Sequence, residues 1–291
     1  MVAMCAGAYG QTMEPLSYTN APIGLNFLIA GYGHLWGDVL LDPSLPIQDA
    51  NARINTVTVA YDRVIDVWGQ SGSVAIVVPY AWLSASGEVT GEERSVTRQG
   101  IADLMLRFTA NLYGAPAVSL QQFRGYKQDT IVGISLYIIA PTGQYDDSKL
   151  INIGTHRWSF KPEVGMSKAL GAWTVEASAG ATFFTANNDF LGRNSRKQNP
   201  LYSIQGHAIY NVGPTLWIAA DATYYTGGDT SVNGVRDNDR QSNSRWGATL
   251  AKTIDVGDSV KLYFSSGATA RSGSNFNHVG VAWQHRWGAG L

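Results

Sequence analysis

The chain has 291 residues, of which 15% are charged, 45% hydrophobic and 11% aromatic, and its formal net charge is −1. Soluble domains carry about 25% charged residues, so the chain is poor in charge, and no Lys/Arg stripe is present to track phosphates, which argues against a nucleic-acid partner. The single cysteine, Cys5, excludes a disulfide framework and a cysteine-built metal site.

The first residues read as a leader. Ala6-Gly7-Ala8-Tyr9-Gly10 is a run of small residues of the kind found near a secretory cleavage site, although no basic segment precedes it. Residues 1–11 are read as a signal-peptide remnant and residues 12–291 as one barrel domain. The longest near-continuous apolar run, Val74 to Leu83, is broken by Pro79. It falls well short of the ~20 residues that a spanning helix needs.

Beyond the leader the chain alternates with a period of two. In one clear case Leu216, Ile218, Ala220, Ala222 and Tyr224 form an apolar set, and Trp217, Ala219, Asp221, Thr223 and Tyr225 between them include the polar groups. That is a strand with two unlike faces. The pattern predicts twelve strands, at 24–36, 53–67, 73–84, 100–112, 130–140, 157–168, 172–185, 201–211, 215–225, 245–254, 260–271 and 277–287. A tilted strand crosses a bilayer in ~9–11 residues.

The connections alternate in length. Short turns are expected at 68–72, 169–171, 212–214 and 255–258, all rich in Gly, Pro or Asp. Longer polar links fall at 37–52, 85–99, 141–156, 186–200 and 226–244. Short turns at one end, long loops at the other and an even strand count are the arrangement of an outer-membrane barrel, with the short side periplasmic. The link 113–129 breaks the rule; it predicts either a small helix around 119–122 or an excursion into the lumen as a partial plug. Aromatic pairs such as Tyr32 and Trp36, Tyr80 and Trp82, and Trp158 and Phe160 stand at predicted strand ends, where interfacial girdles sit.

Reading each strand by phase places a set of polar residues on the inward face. The set holds Asp62, Asp103, Arg107, Lys161, Glu163, Glu176, Gln205, His207, Asp221, Arg245, Lys261 and Arg271. A lipid-facing Arg or Lys at the bilayer midplane would cost ~2–4 kcal/mol, so these groups belong in the lumen. There they either pair and fill the interior or line a path whose charges select the solute, as candidate substrate-binding groups.

Catalysis has little support. His207 points inward, but Ser203 is a strand period too far away, and His156 lies beside Arg157. No His-x-Ser pair and no zinc- or calcium-like spacing occurs, and Asp146-Asp147 reads as a solvated turn. No catalytic residue, cofactor or metal is assigned.

Several stretches resemble a known family. They are Pro22-Ile23-Gly24-Leu25-Asn26-Phe27, Ala140-Pro141-Thr142-Gly143-Gln144-Tyr145-Asp146, Leu150-Ile151-Asn152-Ile153-Gly154 and Arg157-Trp158-Ser159-Phe160-Lys161-Pro162-Glu163-Val164-Gly165. Further on come Asp221-Ala222-Thr223-Tyr224-Tyr225, Arg240-Gln241-Ser242-Asn243-Ser244-Arg245 and Trp283-Gln284-His285-Arg286-Trp287. Through them the chain resembles the MetA-pathway phenol-degradation family of outer-membrane β-barrel transporters. The resemblance implies an outer-membrane location and a role near aromatic-compound catabolism, and it brings no functional residues with it. The stretch from Pro141 reads on its own as a rigid loop start or as the root of an inward-folding constriction.

The expectation is thus an all-β protein, a single transmembrane antiparallel barrel of about twelve strands in a Gram-negative-type outer membrane. It would pass small hydrophobic or aromatic solutes passively. Its partners would be the lipid bilayer, the barrel-assembly machinery during folding, and the solute. The rivals are an outer-membrane hydrolase, a closed structural barrel and a soluble two-domain β-protein.

Overall fold

The structure, a computed structural model, describes residues 13–38, 48–89, 91–271 and 275–291. The expected leader, residues 1–11, lies outside the described residues. In chain order the strands are β1 (Leu25–Asp38), β2 (Gln48–Val67), β3 (Gln70–Val89), β4 (Glu92–Ile101) and β5 (Leu104–Tyr113). After a short helix, α1 (Leu120–Phe123), come β6 (Thr130–Ala140), β7 (Ser159–Leu170), β8 (Trp173–Phe184), β9 (Asn187–Phe190) and β10 (Asn194–Gln198). The chain finishes with β11 (Leu201–Asn211), β12 (Leu216–Gly227), β13 (Thr230–Val232), β14 (Val235–Arg236), β15 (Gln241–Thr253), β16 (Asp258–Thr269) and β17 (Asn275–Gly288).

Twelve strand positions form one closed antiparallel barrel. The order is β1-β2-β3-β5-β6-β7-β8-β11-β12-β15-β16-β17, and β17 pairs back with β1 from Leu25↔Gly288 to Asp38↔Asn275. All twelve expected strands are present, and β6 and β11 coincide with them residue for residue. The alternation is the reason. Leu28, Val59, Ile76, Phe108, Ile134, Val164, Ile204, Leu250 and Val281 point outward and are exposed. Their strand neighbours Thr58, Thr109, Ser135, Glu163, Ser203 and Thr249 point inward and are buried. An apolar outer surface around a polar interior inverts a soluble protein and matches a transmembrane barrel.

The departures from the expected pattern lie at the ends. Residues 85–99 are a hairpin, not a loop: β3 and β4 continue their ladder to Val89↔Glu92. Residues 186–200 and 226–244 contain β9, β10, β13 and β14, which pair into a separate four-stranded sheet. The first short turn is only Trp68-Gly69, both at positive φ (54° and 82°), as a two-residue hairpin turn demands. In the link 113–129 the helix reading holds. Ser119 caps α1 and Gln122 reaches back to it.

Two local features shape the interior. The first is a seam opposite Pro79. The lower part of β3 pairs with β5 up to Val77↔Met105, and its upper part pairs with β4 from Tyr80↔Ile101. Proline has no N–H to give the ladder at that point. The pairing lapses for Ala102 and Asp103, bridged by Ala102 N–H donating to the Pro79 carbonyl at 2.9 Å, and both residues are fully buried. The second is Asn26 at the closing seam. Its amide donates to the carbonyls of Gly24 and Trp287, and its oxygen accepts from Tyr61 and Arg63.

Candidate functional site

The lumen is entered from the short-turn end by the segment that precedes β1. Ile23 N–H donates to Val118 and Gly24 N–H to Val64, which fixes the entry point. From there residues 13–20 run inside the barrel. Leu16 N–H donates to Glu176 at 2.6 Å and the Tyr18 hydroxyl to Glu163 at 3.2 Å. Tyr18 is 1% exposed. Its ring lies over Gly133 and Gly165, which face each other across β6 and β7. One strand along from β6, Glu14 approaches Arg107 on β5 at 3.5 Å. The plug is therefore this segment, and not the link 113–129. Sequence reasoning assigned residues 13–20 no role of their own beyond membership of the barrel domain. A trace was present: two inward glycines in register on neighbouring strands leave a hollow that something must fill.

The inward polar residues divide by the contacts they make. Arg107 joins Glu14 to Asp62, the latter at 3.2 Å. Lys161 pairs with Glu163 at 2.8 Å, both almost fully buried, and its ammonium lies 5.1 Å from the Tyr137 ring centre. Glu176, His207 and Asp221 are direct cross-strand neighbours on β8, β11 and β12. His207 Nδ1 is 2.7 Å from Asp221, whose other oxygen accepts from Thr249. Gln205 is buried beside this row. These residues sit around the plug, so the pairing reading describes them well: each buried charge has a partner of opposite sign or a hydrogen-bond donor.

Arg245 and Asp103 belong to the long-loop half. Arg245 lies over the Phe276 ring at 3.8 Å and donates to the Phe276 carbonyl and the Ser265 hydroxyl. Asp103 accepts from Gly143 N–H, Thr155 N–H and the Thr155 hydroxyl. It pins both ends of the loop between β6 and β7, which close on each other at Gly143 and Gly154, where a Cβ on Gly143 would lie 2.7 Å from the Gly154 Cα. The pinned loop turns inward. Ile153 is buried among Leu35, Ile54, Leu83, Ala102 and Phe276, with Ile151 beside them. Of the two readings of the stretch from Pro141, the inward constriction is the one observed.

Lys261 faces a cavity of about 340 Å³ between the plug and the wall. Arg271 is the one expected lumen residue that falls elsewhere. β16 ends at Thr269, so position 271 is past the strand and its side chain is exposed, with its N–H donating to Asn243. The phase argument fails there because the strand ends. Among the described residues no cluster of His, Cys, Asp or Glu is arranged to hold a metal.

A closed twelve-stranded wall, apolar outside and charged inside, with a chain segment seated in its lumen, is a plugged transmembrane β-barrel. The chain belongs to the family described as "Putative MetA-pathway of phenol degradation", which matches residues 42–282. It is similar in fold to an outer membrane channel from Pseudomonas putida F1, with a TM-score of 0.77 and 19% identity over 94% of this chain and 99% of that one. It is also similar to the beta domain of the Bordetella autotransporter Brka, with a TM-score of 0.53 and 10% identity over 91% of this chain and 100% of that one. No curated protein matches it in sequence.

Proposed function

We propose that this barrel sits in the outer membrane of a Gram-negative-type bacterium and admits small hydrophobic or aromatic solutes by passive diffusion. Its short turns would face the periplasm and its long loops the exterior. The observation that carries the reading is the division of labour across the wall. The apolar side chains face out around the barrel, and the charged ones face a lumen narrowed by two separable inserts, the segment 13–20 and the loop pinned by Asp103. Both inserts attach through hydrogen bonds and packing, not through the wall's own ladder, so either can move without opening the barrel. The likeness to an outer membrane channel and the family's link to phenol degradation support the solute class. No catalytic step is part of this reading: the second oxygen of Asp221 is engaged by Thr249, and Ser203 does not hydrogen-bond to His207.

The test is stopped-flow swelling of proteoliposomes in phenyl glucoside, an aromatic solute too polar to leak quickly through lipid. Entry faster than into protein-free liposomes is expected. Equal rates would overturn the channel reading.

A further inference from the structure

The cavity beside the plug has a chemical character of its own. At about 340 Å³ it lies near the lower end of the ~300–1,000 Å³ typical of small-molecule sites. One side is an apolar shelf from β1, β2 and β3: Phe27, Ile29, Ala60, Val64 and Ala75. The other side, from β16 and β17, presents Lys261 and Arg286. We propose that this cavity is a binding subsite for a small aromatic carboxylate, its ring on the Phe27 shelf and its carboxylate on Lys261, and that the ligand takes over the place of the plug's own carboxylate, Glu14. The proposal rests on the channel reading and names its solute class.

Three observations converge on it. Lys261 is inward and half-buried, yet among the described residues it makes no hydrogen bond and no ion pair closer than 4 Å. Its ammonium is left to act through space, and it is one of several positive groups, Arg107 among them, whose field reaches Glu14. A half-buried ammonium without a direct partner is a standing acceptor site for an anion.

Next, the balance of the lining favours an anion. Among the described lining residues Arg107, Lys261 and Arg286 stand on the inward phase of their strands against Glu14 and Asp62, an excess of one positive charge, with Lys252 and Asp258 at the rim. Of these carboxylates Asp62 is committed to Arg107, and Asp258 accepts from the Trp283 indole and contacts His285. Neither is placed to neutralise Lys261.

Finally, Glu14 can be replaced at low cost to the wall. Its contact with Arg107 is the longer of that guanidinium's two ion pairs, 3.5 Å against 3.2 Å to Asp62. When Glu14 withdraws, Arg107 keeps Asp62 as its partner, so this guanidinium is spared the stranding that makes breaking a buried pair costly. A ligand carboxylate would then meet Arg107 and Lys261, two of the positive groups that act on Glu14 now. Its aromatic ring would cover a shelf that the plug leaves uncovered. Binding and loosening of the plug become one exchange.

The experiment compares benzoate with its neutral isostere benzamide by saturation-transfer NMR on the full chain in detergent, with phenyl glucoside and benzoate uptake measured in proteoliposomes. Benzoate is expected to bind about tenfold more tightly than benzamide, the worth of one charge-assisted hydrogen bond. Lys261→Met should erase that difference and lower the benzoate-to-phenyl glucoside uptake ratio by a similar factor, while Lys261→Arg restores both. Glu14→Gln should act in the opposite direction on the same barrel and strengthen benzoate binding several-fold, so a folding defect at position 261 leaves a second reading. Equal affinities for benzoate and benzamide, or benzoate binding indifferent to both Lys261→Met and Glu14→Gln, would overturn the proposal. If neither solute enters liposomes while benzoate still binds in a Lys261-dependent way, the channel reading falls and the subsite stands.

Discussion

The ring of Tyr18 occupies the space that a side chain at position 165 would fill, and Gly165 is the residue that leaves it open. Gly133, its register partner across β6 and β7, widens the same hollow: a Cβ there would come within 2.7 Å of the ring. The wall is thus cut to the shape of the plug, at a cost that glycine brings to any strand interior.

Filling that hollow should unseat the plug without unmaking the barrel. Gly165→Leu forces the ring out, and overpacking of this kind costs ~1–3 kcal/mol. Single-channel conductance in planar bilayers should rise several-fold, as should that of Tyr18→Ala, which empties the hollow instead. Unchanged conductance in both variants would mean that the ring does not hold the segment in place.

The Lys161–Glu163 pair offers a stability test. Both side chains are almost fully buried at 2.8 Å, and Glu163 also accepts from Tyr18 and Tyr137. Lys161→Met strands a buried carboxylate, and such losses run to ~3–5 kcal/mol. The double variant Lys161→Met with Glu163→Gln should recover most of that. Urea titration of the detergent-solubilised protein would show it; a single variant no weaker than the double one would contradict the buried-pair account.

Asp103→Asn leaves one acceptor oxygen where three donors now converge. Each hydrogen bond lost to a charged group is worth ~1.5–3 kcal/mol. The loop 141–158 should become cleavable by added protease while the strands stay intact, with fragments separating near residue 150 on a denaturing gel. Protection equal to the parent's would show that the Ile153 cluster alone holds the loop down.

The outward face can be tested one residue at a time. Ile134 is 43% exposed in the middle of the apolar belt, and Ser135 beside it is buried in the lumen. Ile134→Arg should cost ~2–4 kcal/mol of folding free energy in lipid vesicles, and Ser135→Asn much less. Similar costs for the two would remove the basis for calling that face lipid-exposed.

The wall was legible in the sequence because lipid and lumen impose opposite chemistry on alternate residues, as in Ile134 and Ser135 or Val164 and Glu163. The reading failed where that contrast ends. Residues 92–98 are exposed or half-exposed on both faces of their hairpin, so Glu92, Glu93 and Arg94 show no two-residue period even though they are a strand. Strands β9, β10, β13 and β14 have two to five residues each and carry polar side chains that read as loop. The plug left no periodic trace at all. Its residues are specified by what the wall omits, in Gly133 and Gly165, and by charges such as Glu14 whose partner lies 93 positions away. Ion pairs of that reach cannot be read from local pattern, which is why the inward set could be drawn up but not paired.

Asn26 carries one further consequence. The same side chain that ties β1 to the last strand through Trp287 also holds Gly24, where the plug leaves the wall. Sealing the cylinder and fixing the point from which its stopper departs thus depend on one amide, so a change at Asn26 reaches both at once.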